Sequence, residues 1–316
     1  MKFFSRNKRN TEQMAIRMSP DGLYAASVRH ELAAKPNLEF LSFYPGSTAD
    51  SKLLLERLAK ETPARKKTCS ALLNFGEYQL LAIEAMNVPA QELRGAVKWR
   101  VKEMIDFPIS DATVDVLSIP GDVANGGRNQ SLMAVVAKNQ VVKYVQDSFV
   151  GARLPLTVID IPEMAQRNIS TFLETSGRGL AMLSFGGGGG LLTVTYEGEL
   201  YLSRKIDVSL EQLQSEDTEA QAAVFERVSL ELQRSLDHFE RQHNYITNAK
   251  LVLSPIGECA EMLRSYLSSN VYMPVELLDL STLINMNNVP ELRDPAQQQR
   301  FFEIIGAALR REPGAI

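Results

Sequence analysis

An α/β fold built as two similar lobes is predicted by three observations. Segments with strand character alternate with amphipathic segments of helical period along the whole chain, which calls for sheets covered by helices. Each half opens with three short strands joined by tight turns and then continues into helices and further strands. The 316 residues, 45% hydrophobic and 23% charged, suffice for one large domain or two lobes.

In the first lobe, "QMAIRMS" and "LYAASVRH" form a hairpin through Pro20-Asp21-Gly22, a strong turn sequence. "NLEFLSFYP" continues the meander. "SKLLLERLAKE" places leucines at 53, 54, 55 and 58, enough for a helix with one buried face, and "KTCSALLNFG" reads as a buried strand. "VPAQELRGAVKWRVKEMIDFPIS" is a helix opened by Pro89, with Leu93, Val97, Val101, Met104 and Ile105 on one face, and stopped by Pro108. "TVDVLSIPG" and "QSLMAVVAK" are strands with "DVANGGRNQ" as the loop between them, and "QVVKYVQDSFVGAR" is a helix ending near Gly151. The order helix, strand, strand, helix marks a small module inserted into the first lobe. "LPLTVIDI" and "PEMAQRNISTFLE" return the chain as a strand and a helix begun by Pro162.

The second lobe starts at Gly179 with "LAMLSF", "LLTVTY" and "ELYLSRKI", the last two joined by an "EGE" turn. A helix from roughly Glu219 to His243 carries Phe225, Val228, Leu232, Leu236 and Phe239 as its buried stripe. "AKLVLSPIG" is a strand, "ECAEMLRSYLSSN" a helix, "MPVELLDL" a strand and "AQQQRFFEIIGAALRRE" the closing helix. The two halves look like a duplicated architecture without a clear internal repeat in sequence.

Composition excludes several functions. The 34 basic against 38 acidic residues leave a net charge of -4, against any broad nucleic-acid surface. Cys69 and Cys259 stand far apart without CxxC or zinc spacing, as expected of buried thiols in a reduced cytoplasmic protein. No window reaches the ~18 consecutive apolar residues of a membrane span. The opening "MKFFSRNKRN" lacks a signal-peptide core, and its Lys2, Arg6, Lys8 and Arg9 form either a solvated tail or a contact with an anionic leaflet. His238 and His243 are five apart, which does not stack them as helical metal ligands. There is no HExxH, no Gly-x-Ser-x-Gly and no other catalytic constellation, so the expectation is a protein that is not an enzyme.

One run asks for a reason. "SFGGGGG", Ser184 to Gly190, spends five glycines between two strands, although each glycine loses more backbone freedom on folding than any other residue. Leu191 and Leu192 follow, so the Gly-Lys-Ser/Thr ending of a Walker loop is missing, and a strand rather than a dinucleotide-binding helix comes next. A Gly-rich hairpin that approaches phosphate and a flexible hairpin tip both remain open.

Taken together, several stretches resemble PilM-type pilus assembly proteins. "VPAQELRGAVKWRVKEMIDFPIS" is similar to that family's Trp-containing helix ending in "PFP". "MLSFGGGGGLLTVTYEGELYLSRKIDVSLEQL" resembles its strand-loop-strand segment, and "RVSLELQRSLDHFERQ" its long helix. "KLVLSPIGECAEMLRSYLSSNVYMPVELLDL" and "IIGAALR" resemble the closing segments. Within the family, the opening "MKFFSR" and the degenerate loops are similar to the member from mannose-sensitive haemagglutinin pilus systems.

The resemblance implies an actin-like two-lobed fold with an inserted small 1C-type subdomain. Its expected divisions are 1–82 (first part of subdomain 1A), 83–155 (inserted 1C-like), 156–178 (return to 1A), 179–213 (first part of 2A), 214–248 (helical part of 2B) and 249–316 (return to 2A and closing helix). It further implies a cytoplasmic place at the inner membrane of a type IV pilus platform. The implied partner is the cytoplasmic N-terminal tail of a PilN-like bitopic membrane protein, with the pilus assembly ATPase as a possible second. Membrane association would then be peripheral and partner-mediated. The helix around Trp99 is the nearest candidate for the partner contact, with a packing role as the alternative.

Departures from the family concentrate in the nucleotide loops. "AIRMSPDG" places Arg17 where nucleotide-binding relatives have an aspartate and Ser19 where they have a glycine. "SFG" places Ser184 for an acid, and "LSPIG" puts Pro255 and Ile256 in the adenosine loop. Arg17, Ser184, Gly186, Gly187, Gly188 and Gly257 are therefore the residues of a degenerate nucleotide cleft, in which Arg17 meets either a phosphate or a salt-bridge partner. The expectation is a pseudo-ATPase without cofactor or metal; ATP with magnesium, switching platform assembly, is the alternative.

Overall fold

The computed structural model describes residues 12–31, 34–84, 86, 88–121 and 131–311. The basic residues Lys2 to Arg9 and the loop 122–130 lie outside the described residues. Three sheets organise the chain. The first contains β1 (Glu12–Ser19), β2 (Gly22–Arg29), β3 (Asn37–Pro45), β4 (Thr68–Leu72) and, after a long excursion, β8 (Leu156–Asp160). Its order is β3-β2-β1-β4-β8, antiparallel over the meander and parallel from β1 outward. The second contains β9 (Gly179–Gly186), β10 (Gly189–Tyr196), β11 (Glu199–Ile206), β12 (Asn248–Leu253) and β13 (Val275–Leu277) in the order β11-β10-β9-β12-β13. Each position repeats the first sheet, including the parallel pairs. The duplication is therefore one of topology.

Side-chain alternation explains why both faces of each sheet must be covered. On β2, Leu23 and Ala25 join one core cluster with Leu54, Leu55 and Leu58 of α1 (Ser51–Glu61). Tyr24, Ala26 and Val28 face the other way, into a cluster with Phe301, Phe302, Ile304 and Ile305. β9 divides in the same manner, with Ala181, Leu183 and Phe185 on one side and Leu180 and Met182 on the other.

Between β4 and β8 the chain builds a three-stranded antiparallel sheet of order β5-β7-β6 from β5 (Tyr78–Glu84), β6 (Ala112–Ile119) and β7 (Ser131–Lys138). The helices α2 (Ala90–Val101) and α3 (Asn139–Ala152) accompany it. The inserted helix-strand-strand-helix module is present, with one strand more than its sequence suggested. β5 reads "YQLLAIE", where four consecutive apolar residues hide the two-residue alternation that marks a strand. The helix expected to run to Pro108 stops at Val101. Val97 and Val101 are fully buried and Ile105 packs half-buried on the same cluster, but Met104 of the expected stripe is 46% exposed.

The second lobe adds α5 (Leu210–Leu213), α6 (Thr218–Gln242) and α7 (Ala260–Ser268). The expected stripe of α6, from Phe225 to Phe239, is buried as read.

Two helices join the halves: α4 (Pro162–Ser170) and α8 (Pro295–Ala308). α4 follows the first sheet yet packs against β9, β10 and β11; α8 follows the second sheet yet packs against β1, β2 and β4. They also pack on each other, and all nine residues of α4 are buried. At their crossing a side chain on Gly306 would meet the Ala165 carbonyl oxygen at 2.4 Å. Asn168 Nδ2 donates to the Gly306 carbonyl at 3.0 Å. Backbone lies against backbone there, and neither can give way.

Gly306→Ala is therefore expected to destabilise the protein by about 1–3 kcal/mol through overpacking. Gly95→Ala, where an added Cβ has nothing within 4 Å, is expected to stabilise it by about 0.5–1 kcal/mol through helix propensity. Urea unfolding of the two variants side by side checks both signs.

Candidate functional site

A cleft of about 860 Å³ lies between the β1–β2 turn, the β9–β10 tip, the start of α5 and the outer turn of α8. Its walls include Arg17, Asp21, Tyr24, Phe75, Gly186, Gly187, Gly188, Gln214, Gln299, Arg300 and Glu303. Of the residues singled out from sequence, Arg17 and the three glycines line it. Ser184 and Gly257 do not.

Arg17 forms an ion pair with Glu303 of α8, and both side chains are only 16% exposed. Its guanidinium also sits 4.8 Å from the Tyr24 ring centre. Tyr24 in turn donates its hydroxyl to Asp21 Oδ2 at 2.6 Å. A cation stacked on an aromatic face and matched with a carboxylate is held in place by desolvated contacts.

Four of the five glycines of the run answer to the protein's own packing or backbone, while an added Cβ on Gly187 has nothing within 4 Å. Gly186 and Gly189 close the β9–β10 hairpin. A Cβ on Gly186 would lie 2.6 Å from Glu303 Oε1, and one on Gly188 would enter the Phe75 ring at 2.2 Å. One on Gly190 would meet the Phe185 ring at 2.8 Å, and Gly189 has φ +100°, where a side chain is strained. Phe75, from the loop after β4, thus lies on the hairpin tip. Asn74 anchors that loop by donating to the Met18 carbonyl at 2.7 Å and accepting from Ser19 Oγ at 3.0 Å.

Ser184 sits behind the wall, 4% exposed, and donates to Gln166 Oε1 at 2.5 Å. The Gln166 amide donates to the Met182 carbonyl and Thr193 Oγ1, both at 2.9 Å, so this pair is a strut between α4 and the second sheet. Gly257 has φ +75° and is crowded by the amides of Gln214 and Gln299. Ile256 is wholly buried in the core. The expected adenosine loop therefore does not present Ile256 to the cleft; beside Gly257 the cleft is lined by Gln214 and Gln299.

Neighbouring carboxylates already have partners. Asp160 pairs with Arg310 at 2.8 Å, Glu163 accepts from the Tyr78 hydroxyl at 2.5 Å, and Glu303 holds Arg17. Among the described residues no group of three His, Cys, Asp or Glu side chains could hold a metal ion. Of the carboxylates that line the cleft, Glu303 is taken by Arg17 and Asp21 accepts from Tyr24, while Glu211 is exposed at its wall. Both cysteines are buried, and burial pushes the Cys69 thiol up to about 12, which leaves it unreactive.

Trp99 lies away from these groups on α2, 74% exposed, with Lys102 Nζ 5.6 Å from its ring centre. It is not a packing residue. Sequence reasoning missed Phe75, Glu303 and the Tyr78–Glu163 pair, because no local pattern links residues 286 positions apart.

The fold is actin-like. Over 95% of the chain and 98% of the other, it superimposes on a structure from a PilM–PilN type IV pilus biogenesis complex, with a TM-score of 0.72 and 19% identity. It also resembles a Bacteroides thetaiotaomicron protein with an actin-like ATPase fold and unknown function (TM-score 0.51, 11% identity), over 93% of this chain and 99% of that one. By sequence, no protein family's profile and no curated protein matches the chain.

Burial raises the Glu163 carboxyl above the ordinary carboxylate range, opposed by the Tyr78 hydrogen bond and reinforced by the Glu303 and Asp160 charges. A raised folded-state value means the folded protein holds this proton more tightly than the unfolded chain. Its contribution is present at low pH and is lost as pH rises from the unfolded value through the folded one, with a slope of up to about 1.4 kcal/mol per pH unit. Glu163→Gln keeps an acceptor for Tyr78 and is expected to remove that slope. Urea midpoints of both proteins across pH 4–8 (a range of about four units) check it.

Proposed function

We propose that this chain is a non-catalytic scaffold on the cytoplasmic face of a type IV pilus assembly platform, docking the cytoplasmic tail of a PilN-like bitopic membrane protein. The observation that carries the non-catalytic part is the state of the cleft. Where a nucleotide-binding relative would offer carboxylates and an open phosphate loop, Arg17 is matched to Glu303 and Phe75 covers Gly188. The partner reading is supported by the likeness over nearly the full length of both chains to the PilM–PilN structure and by the motifs quoted above. The opening "MKFFSR" and the degenerate loops favour a mannose-sensitive haemagglutinin pilus, with the assembly ATPase as a second partner. No helix among the described residues is long and apolar enough to cross a membrane, in keeping with peripheral attachment through the partner.

A second reading, a nucleotide-switched actin-like ATPase, is favoured by the remaining 860 Å³ of cleft and by Arg300 on its rim. Calorimetric titration with ATP and magnesium, with thermal melting in parallel, separates the two. Ligand at about 100 times its Kd adds roughly 2.7 kcal/mol, a rise of about 5–10 °C for a chain of this size. The scaffold reading expects neither heat nor a shift at millimolar ATP, and a shift of that size would hand the cleft to the nucleotide.

The docking part has its own test. A synthetic peptide copying the cytoplasmic tail of a PilN-like protein encoded with this chain is expected to bind in the absence of nucleotide. Binding that requires ATP, or no binding at all, overturns it.

A further inference from the structure

The outward face of α2 around Trp99 serves neither the cleft nor the core. Trp99 is 74% exposed, although burying an indole is among the largest hydrophobic gains a side chain can make. Lys102 stacks on its ring, and Lys98 and Arg100 flank it in sequence. Between residues 98 and 104 these three cations face a single carboxylate, Glu103. None of the three is in an ion pair among the described residues, whereas Arg94, one turn earlier, is neutralised by Asp115 at 2.9 Å. Gly95 shares the face of Trp99 at a spacing of four, and nothing lies within 4 Å of where its Cβ would be. The indole therefore does not fold back over Gly95. Met104, 46% exposed, follows at the end of the same stretch.

We infer that this end of α2 seats directly on an anionic phospholipid surface, with the Trp99 ring at headgroup depth and Lys98, Arg100 and Lys102 against the phosphates. Charge complementarity selects this occupant. The chain as a whole is negative, at -4, so an anionic surface repels most of it and attracts this patch, which orients the approach. An indole with an apolar body and a polar N–H is at home in the interfacial layer, and lysine stems cover apolar surface while their charges reach phosphate. One protruding ring among long, unpaired cations suits a fluid surface with diffuse charge. The inference does not rest on the pilus reading, since it needs no protein partner.

Trp99 is the only tryptophan in the chain, so its emission reports this site alone. The full-length protein is mixed with vesicles of phosphatidylcholine, with or without phosphatidylglycerol, and bound protein is also sedimented. The expected result is a blue shift and protection from acrylamide with phosphatidylglycerol only, reversed by salt. Single substitutions Lys98→Ala, Arg100→Ala and Lys102→Ala are each expected to lower vesicle partitioning about fivefold. Trp99→Ala and the triple change of the three cations to Glu are expected to abolish sedimentation while melting like the parent protein. Unchanged emission while the protein sediments would place binding elsewhere and overturn the inference. Equal shifts with both vesicle types, or undiminished binding by the variants, would also overturn it. A shift with the partner-tail peptide but not with vesicles would assign the surface to a protein.

Discussion

The crossing of α4 and α8 is the contact on which the architecture depends. Each helix follows one sheet in the chain and packs on the other, so neither half can complete its core without the other. Close approach is possible because Gly306 presents bare backbone to the Ala165 carbonyl. Buried polar groups then fix the register: Asn168 reaches the Gly306 carbonyl, and Gln166 ties α4 to Ser184 and the second sheet. Such groups are costly to bury alone and specify one arrangement when satisfied. α4 is wholly buried because it lies between two sheets, not on one.

The same exchange sets the character of the cleft. α8 brings Glu303 to Arg17, and the loop after β4 brings Phe75 over the tip of β9–β10. Both contacts pass between elements that a ligand bound in a cleft would otherwise bridge. Charge is matched, and Gly186 and Gly188 are covered by Glu303 and Phe75, so the floor of the cleft is held together by its own side chains. The volume that remains lies outward of these contacts.

The inserted module is fastened to both halves. Tyr78 on β5 donates to Glu163 of α4, and the Tyr245 hydroxyl, after α6, reaches the Pro120 carbonyl at 3.4 Å at the end of β6. His243 packs between Phe239, Tyr201 and Tyr245 beside that second contact. The module is thus a third body bridging the two lobes, with the free face of α2 turned to solvent.

Much of this was legible in the sequence for a physical reason. Periodicity, prolines and turn residues act over a few positions, so the Pro20-Asp21-Gly22 hairpin, the Pro162 start of α4 and the buried stripe of α6 follow from local chemistry. The two-lobed plan was likewise readable from the repeated order of elements, and the resemblance to PilM-type proteins implied that it is actin-like. Local reasoning failed where apolar residues run together, as in β5, or where an apolar stripe lost its neighbour, as at Met104. For the cleft, the sequence singled out Arg17 and the glycines but not what they touch. Only the tertiary structure decided that Glu303 neutralises Arg17, that Phe75 requires Gly188 and that Ser184 faces Gln166. Partners so distant in the chain meet only once two sheets have exchanged helices, and no local pattern encodes that encounter.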